Sequence, residues 1–162
     1  MDKYIFIQAR MSSTRLPGKV LLPFRDSTVL HFLYKKCTAI QGVKKVIVLT
    51  SDLSDDDVIE DLCTKNNFYF YRGSLLNVLE RFQKASEIFC NPEDVIIRLC
   101  ADSPLIDESL LQEFINQINE KYSFFSTRYL EDGNFISTTG KGNNIDALKV
   151  KELMAIKADD EF

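Results

Sequence analysis

The chain has 162 residues, of which 45% are hydrophobic, so it can bury one core but not two comfortable ones. We therefore expect a single domain over residues 1–162. The net charge of −4 and an isoelectric point near 5.1 argue against a nucleic-acid binder, because affinity for a phosphate backbone requires a broad basic surface. The start of the chain lacks the length and cleavage pattern of a signal peptide, and no apolar stretch approaches the ~20 residues of a membrane span. These features favour a cytoplasmic protein without a membrane partner.

Buried strands and amphipathic helices alternate along the chain. An apolar run rich in aromatic and β-branched residues predicts a first strand over residues 4–9. Further strands are predicted over 46–49, 68–71, 95–99, 123–127 and 145–148, and helices over 28–40, 55–65, 75–89 and 108–121. This alternation indicates βαβ units, hence an α/β class with three α/β/α layers and a mainly parallel sheet. Residues 129–144 are polar and Gly-rich, which predicts the longest loop.

No nucleophile of the usual kinds is evident in the sequence. The four cysteines, Cys37, Cys63, Cys90 and Cys100, form no CxxC pair and are expected to be reduced core thiols. The single histidine, His31, lies inside the first predicted helix and is interpreted as structural. Because no Ser/His/Asp or Cys/His arrangement can be built around it, any catalysis must rely on positioning and charge stabilisation.

The loop after the first strand is cationic in an otherwise acidic chain. It spans residues 10–19 and leaves the carboxyl end of the strand, where open α/β sheets bind ligands. Five cations and no acidic residue lie between positions 3 and 25: Lys3, Arg10, Arg15, Lys19 and Arg25. Arg presents a fixed fork of donors to phosphate oxygens, and the turn at Pro17–Gly18 can bring Lys19 back over them. The pattern favours a local polyanion site, with a purely solvating basic loop as the alternative. It is not a Walker loop, because GxxxxGK[ST] is absent.

The same loop carries a resemblance to a known family. It reads QARMSSTRLPGKVL over residues 8–21 and resembles the signature of the cytidylyltransferases that make CMP-activated acidic sugars, especially their spore-coat polysaccharide branch. Collinear blocks at 50–52, 72–81 and 98–107 extend the similarity over nearly the whole chain. The resemblance implies a Rossmann-like nucleotidyltransferase fold and a Mg²⁺-dependent enzyme of surface polysaccharide or lipopolysaccharide biosynthesis. Such an enzyme transfers CMP from CTP to an acidic sugar and releases pyrophosphate.

The resemblance also assigns roles to individual residues. It implies that Arg10, Lys19 and Asp102 act in catalysis. The implied nucleotide ligands are Ala9, Arg10, Ser13, Arg15, Lys19, Ser51, Asp52, Arg72, Ser74 and Arg81. For Ser51, Asp52, Arg72 and Ser74, which lie at the ends of predicted strands, the alternative is that they only stabilise turns. Asp102 is placed to hold magnesium against phosphate oxygens, although it could instead cap the turn before Pro104.

Other acidic residues are assigned differently. The run at 55–57 is interpreted as stabilising a helix dipole, and Asp107 as a helix N-cap. Relatives carry a second acidic motif similar to G-x-D-x-E, which aligns with residues 142–146. Here Asn144 stands in place of the Asp of the motif, and Asp146 stands in place of its Glu, which has a longer side chain. We therefore expect Asp102 and Asp146 to hold the metal, with Asn144 offering a neutral carbonyl oxygen.

Two further departures bear on function. Asn77 stands where the family pattern has Asp. Relatives continue past residue 162 with segments that complete the sugar pocket and contribute to a dimer interface, so we expect a nucleotidyltransferase domain that lacks their C-terminal part. A homodimer is left open. Two other functions also stay open: a non-catalytic or truncated nucleotide-binding module, and a nucleotidyltransferase that uses UTP or GTP.

Overall fold

The computed structural model describes residues 1–132, 134–140 and 142–157. The strands cover Lys3–Gln8 (β1), Pro23–Phe24 (β2), Ser27–Thr28 (β3), Lys45–Ser51 (β4), Tyr69–Gly73 (β5), Val95–Cys100 (β6), Phe124–Ser126 (β7), Arg128–Glu131 (β8), Asn134–Ser137 (β9) and Asp146–Lys149 (β10). The helices cover Val29–Thr38 (α1), Asp57–Lys65 (α2), Val78–Phe89 (α3), Glu108–Gln117 (α4) and Val150–Ala155 (α5). Short 3-10 turns lie at Lys19–Leu21 and Ser54–Asp56.

One mixed sheet organises the domain, with the strand order β5-β4-β1-β6-β10-β7. The pairs β5–β4, β4–β1 and β1–β6 are parallel, whereas β10 runs antiparallel to both β6 and β7. The α/β class and the mainly parallel sheet are therefore confirmed. None of the helices in the described part of the chain combines the length and the hydropathy that a membrane span requires.

Helices cover both faces of the sheet, because alternate residues of a strand point to opposite sides. On one face, Ile5 and Ile7 of β1 belong to the core that α1, α2 and α4 complete. On the other face, Tyr4 and Phe6 of the same strand pack with residues of α3 and α5. All four side chains are at most 1% exposed, so both layers exclude water and the three-layer prediction is confirmed.

The second face is not covered along its whole length. Phe6 of β1 and Ile96 of β6 lie beneath α3 and α5. Further along the same strands and on the same face, Gln8 is half-buried, and Arg98 and Cys100 are exposed. The carboxyl ends of the two central parallel strands thus present polar side chains to solvent, which is where open α/β sheets bind their ligands.

Several predicted boundaries were wrong. The third helix begins at Val78 rather than 75, because the Asn77 side chain caps it by accepting from the Glu80 N–H at 3.0 Å. The predicted loop at 129–144 contains the hairpin of β8 and β9, in which Tyr129 pairs with Ile136. Positions 133 and 141 of that loop and residues 158–162 of the predicted domain lie outside the described residues. The N-cap prediction for Asp107 is confirmed, since its carboxylate accepts from the Leu110 N–H at 3.0 Å.

The core-thiol prediction holds for only part of the cysteine set. Cys37 and Cys63 are buried, and burial raises the pKa of each thiol to about 12. Cys90 is half-buried, whereas Cys100 is exposed, so a core location for Cys100 was wrong. His31 packs edge to face against the Phe68 ring at 5.2 Å between centroids, in line with a structural role.

Candidate active site

A pocket of about 220 Å³ lies at the carboxyl ends of β1 and β6. Its lining includes four residues predicted to bind phosphate, Arg10, Ser13, Arg15 and Lys19, and also Asp102, which was predicted to hold the metal. Four cationic side chains, including Arg98, face a single carboxylate among the described residues of its lining. The excess of positive charge at this edge makes the pocket suited to a polyanion.

The loop over residues 10–19, which supplies three of these cations, is organised by hydrogen bonds to Met11. The Met11 carbonyl accepts hydrogen bonds from the Ser13 N–H at 2.8 Å and from the Gly18 N–H at 2.9 Å. Gly18 adopts φ 70°, and a Cβ there would lie only 3.2 Å from Met11 Cε. The left-handed turn at Gly18 and the close approach to Met11 explain how the chain returns toward the pocket at Lys19.

Lys19 and Asp102 meet across the pocket. The Lys19 ammonium forms an ion pair with Asp102 Oδ2, and the two side chains are 25% and 37% exposed. Because both are partly solvated, the pair adds little to stability, and either group is available to a ligand. Asp102 therefore contacts the cationic loop through Lys19, whereas the roles of both residues in catalysis stay predictions.

Arg81 lies on α3, outside the lining of this pocket, and is 1% exposed. Its Nη1 donates to the Ser74 carbonyl at 2.7 Å, but its Nε is buried without a hydrogen-bond partner. Desolvation lowers the pKa of Arg81, an effect that nearby Asp56 opposes and Arg10 reinforces. No carboxylate within the described ranges forms an ion pair with Arg81. A buried cation without a counterion is costly, so an anionic ligand nearby would relieve it.

The other predicted nucleotide ligands do not line this pocket. Ser51 is 1% exposed and its hydroxyl donates to Asp56, while the exposed Asp52 donates its N–H to the Gly73 carbonyl. Arg72 is held by Glu60 and Asp57, and these hydrogen bonds raise its pKa.

The remaining two are Ala9 and Ser74. Ala9 is 2% exposed, and its N–H donates to the Leu49 carbonyl at 2.9 Å. The Ser74 hydroxyl accepts from the Asn77 N–H at 3.0 Å, so it organises the turn before α3. Turn contacts, sheet contacts and, for Arg72, ion pairs to α2 account for the observed interactions of these residues, and nucleotide binding by them stays a prediction.

Arg98 is a site residue that the sequence interpretation missed. Its guanidinium donates to Gln8 Oε1 at 3.2 Å, and it lines both the first pocket and a neighbouring one of about 490 Å³. The sequence contained a signal for Arg98, because a charged residue inside an otherwise apolar strand is expected to face an uncovered part of the sheet.

The second pocket lies over β6, β10 and β7 and is largely apolar. Phe82, Phe124 and Leu148 contribute to its walls, with Arg128 and Asp146 as charged groups. Asp146 forms an ion pair with Arg128 and accepts from the Ser126 hydroxyl at 2.7 Å. An apolar pocket with a few convergent polar groups is typical of a small-molecule site.

The residues predicted to hold a metal fit that role only in part. Among the described residues, no group of three or more His, Cys, Asp or Glu side chains could hold an ion. Asp102 and Asp146 have the anionic oxygen atoms that Mg²⁺ prefers, but each carboxylate forms an ion pair with a cationic side chain. Asn144 is exposed, and its Oδ1 accepts from the Ser137 hydroxyl at 2.9 Å. Phosphate oxygens would have to complete a magnesium site.

Known proteins resemble this chain in sequence. The spore coat polysaccharide biosynthesis protein SpsF of Bacillus subtilis is 41% identical over 118 residues, which cover 70% of this chain and 48% of that protein. The 8-amino-3,8-dideoxy-manno-octulosonate cytidylyltransferase of Shewanella loihica is 26% identical over 116 residues, covering 71% of this chain and 46% of the relative. The chain thus spans about half the length of the curated relatives it matches.

Solved structures and a family model agree with this similarity. A cytidylyltransferase from Leptospira borgpetersenii superposes with a TM-score of 0.83 at 32% identity, over 95% of this chain and 63% of the other. A CMP:2-keto-3-deoxy-manno-octonic acid synthetase complexed with CTP gives a TM-score of 0.70 over 95% of this chain and 76% of the other, and at 17% identity it shows the fold alone. The cytidylyltransferase family model matches residues 4–155. The chain therefore belongs to the cytidylyltransferase family.

Proposed function

We propose that this chain binds CTP in the cationic pocket and transfers its CMP group to the hydroxyl of an acidic sugar, with release of pyrophosphate. The observation that carries the proposal is the convergence of Arg10, Arg15, Lys19 and Arg98 on one pocket that also contains Asp102. A nucleoside triphosphate is a polyanion, and its transfer chemistry requires neutralisation of the leaving pyrophosphate. The pocket supplies positive charge at the carboxyl ends of β1 and β6, where the sheet presents polar side chains to solvent.

The loop cations would bind the β- and γ-phosphates. Arg10 and Arg15 offer forked donors to phosphate oxygens, and Lys19 can turn from Asp102 to the triphosphate. The sugar hydroxyl would attack the α-phosphate, so that its O–P bond forms while the bond to the leaving pyrophosphate breaks. Alignment and charge stabilisation account for the rate enhancement, and no covalent enzyme intermediate is required.

Magnesium, held by Asp102 with Asp146 and with the neutral oxygen of Asn144, would neutralise charge on the phosphates when bound. Each carboxylate pairs with a cationic side chain in the present structure, Lys19 for Asp102 and Arg128 for Asp146. These cations would have to leave their carboxylates when the metal arrives. A triphosphate and an acidic acceptor are suitable new partners for them.

The second pocket is the proposed acceptor site. It adjoins the first through Arg98, and its apolar walls suit the carbon skeleton of a sugar while Arg128 suits a carboxylate. An acidic sugar is also the substrate class in the name of the Shewanella loihica relative.

Pyrophosphate release from CTP, measured with a panel of acidic eight- and nine-carbon sugars, tests this function. Release with at least one sugar, dependent on Mg²⁺ and lost in Asp102→Asn, is the expected result. Tight CTP binding without release from any sugar would instead assign a nucleotide-binding module, which the replacement at Asn144 favours. Thermal shifts with each of the four nucleoside triphosphates distinguish CTP from another nucleotide.

A further inference from the structure

We propose that Asp56 is a positioning residue that fixes the phosphate-binding loop from behind, through the backbone of Met11. This inference rests on the proposed function, because the loop matters only if it binds the nucleotide phosphates. Asp56 belongs to the acidic run at 55–57, for which a helix-dipole role was predicted. It is the buried member of that run, at 1% exposure, and it lies at the start of α2 beneath the loop.

The Asp56 carboxylate joins two separate parts of the site. Its Oδ1 accepts from the Met11 N–H at 2.7 Å. Its Oδ2 accepts from the Thr50 hydroxyl at 2.9 Å, the Ser51 N–H at 2.9 Å and the Ser51 hydroxyl at 2.6 Å. Burial alone would raise the pKa of Asp56, but hydrogen bonds from Ser51, Met11 and Thr50 outweigh it and hold the pKa below its ordinary value. One oxygen therefore holds the loop and the other holds the end of β4.

Met11 is the residue from which the loop is folded. Its N–H is bound to Asp56, and its carbonyl accepts from both Ser13 and Gly18, at the two sides of the loop. A displacement of Met11 would therefore shift the segment that carries Arg10, Ser13 and Arg15. Buried hydrogen bonds to a carboxylate are among the stronger ones, so this anchor limits the motion of the loop before the ligand arrives.

The chemistry of the four donors makes Asp56→Asn a selective perturbation. An asparagine that keeps its oxygen at the Oδ2 position retains the three contacts to Thr50 and Ser51. Its amide then faces the Met11 N–H, donor against donor. In the reverse orientation the asparagine amide would face the Ser51 N–H and the two hydroxyl groups, so more hydrogen bonds would be disturbed. The first orientation is therefore favoured, and the substitution should release the loop while the end of β4 stays bound. Removal of a negative charge beside a polyanion would by itself strengthen binding, so weaker binding cannot be attributed to charge.

The experiment compares Asp56→Asn with Thr50→Val and Asp55→Asn in the 162-residue chain. Thr50→Val removes a hydrogen bond at the other end of the same carboxylate, and Asp55→Asn removes an exposed neighbouring charge. We expect Asp56→Asn to weaken CTP binding about tenfold or more, whereas Thr50→Val changes it less than about threefold. Calorimetric titration gives the affinities, and KM for CTP should rise more than kcat falls.

Equal affinity losses in Asp56→Asn and Thr50→Val would overturn the positioning role and leave a structural one. Amide exchange of the wild-type chain is a second measurement that requires no variant to fold: the Met11 amide should exchange slowly without nucleotide, and rapid exchange would also overturn the proposal. Failure of the proposed function is a separate outcome, since the wild-type chain would then bind no CTP while the Met11 amide could still be protected.

Discussion

Replacement of Gly18 by alanine tests whether the folded shape of the cationic loop, rather than its charge alone, binds the nucleotide. Gly18 adopts φ 70°, and the Cβ of an alanine would lie 3.2 Å from Met11 Cε. Gly42 offers a matched control, because it adopts φ 80° and its added Cβ would meet only Ile115 Cγ2, at 3.9 Å. Gly42 lies between α1 and β4 and lines neither pocket.

Both substitutions place a residue with a Cβ in a left-handed conformation, and Gly18→Ala adds strain at its hydrogen bond to the Met11 carbonyl. A left-handed conformation costs a residue with a Cβ about 1–2 kcal/mol. For a domain of this size each kcal/mol lowers Tm by about 2–4 °C, so both variants should melt about 2–8 °C below the wild-type chain. The flexible Met11 side chain can yield by the few tenths of an ångström that the 3.2 Å contact demands, but its backbone also holds both sides of the loop.

Only Gly18→Ala should weaken the binding of CTP. Strain at Gly18 lengthens or breaks its hydrogen bond to the Met11 carbonyl, which is worth about 0.5–1.5 kcal/mol, so CTP affinity should fall about 2- to 13-fold. Gly42→Ala should bind CTP within about twofold of the wild-type chain, because it leaves the loop untouched. Calorimetric titration with Mg²⁺–CTP and thermal melts of the same samples provide both quantities. Wild-type affinity in Gly18→Ala, alongside the expected loss of Tm, would refute the reasoning that loop geometry determines binding.

Three further predictions concern the metal, the thiols and pH. Asn144→Asp should tighten Mn²⁺ binding in the presence of CTP by about fivefold or more, as measured by electron paramagnetic resonance, since a charged oxygen replaces a neutral one; no gain would place Asn144 outside the metal site. Cys100 should be the first cysteine alkylated at alkaline pH, and Mg²⁺–CTP should slow the reaction; mass spectrometry identifies the site, and unchanged labelling with CTP would contradict its position in the nucleotide pocket. The folded-state pKa of Asp56 is lowered, so its contribution to stability is complete above the unfolded value of about 3.9 and is lost as pH falls through the folded value. The stability difference between wild type and Asp56→Asn should therefore be constant from about pH 5 to 8 and shrink below about pH 4 in denaturant titrations; a difference independent of pH would contradict this linkage.

The sequence predicted the sheet and the loop because both leave local signals. The first strand is a run of apolar residues that are buried on both faces, and the cations of residues 10–19 follow it directly. The resemblance to cytidylyltransferases added Asp102, which the structure brings to the same pocket. Features that depend on adjacent positions, such as the first strand and the cationic loop after it, were therefore accessible without coordinates.

Contacts between distant segments were not accessible in the same way. Asp56 and Met11 are 45 positions apart, and nothing in the run at 55–57 distinguishes the residue that turns inward from its two exposed neighbours. The hairpin of β8 and β9 was missed because its polar, Gly-containing sequence gives no alternating apolar pattern. The resemblance assigned Arg72 to nucleotide binding, but its hydrogen bond to Glu60 of the neighbouring helix was not evident from the sequence.

The uncovered end of the sheet has an evolutionary consequence. Arg98 and Cys100 share their strand with fully buried residues such as Ile97, yet they are exposed at the end of the face that α3 and α5 cover only in part. Substitutions at such exposed positions typically cost little folding free energy, whereas a change at Ile97 would open a cavity. Selection can therefore alter the side chains at this end of the sheet while packing preserves the scaffold beneath them, so one architecture can accommodate different ligand chemistries.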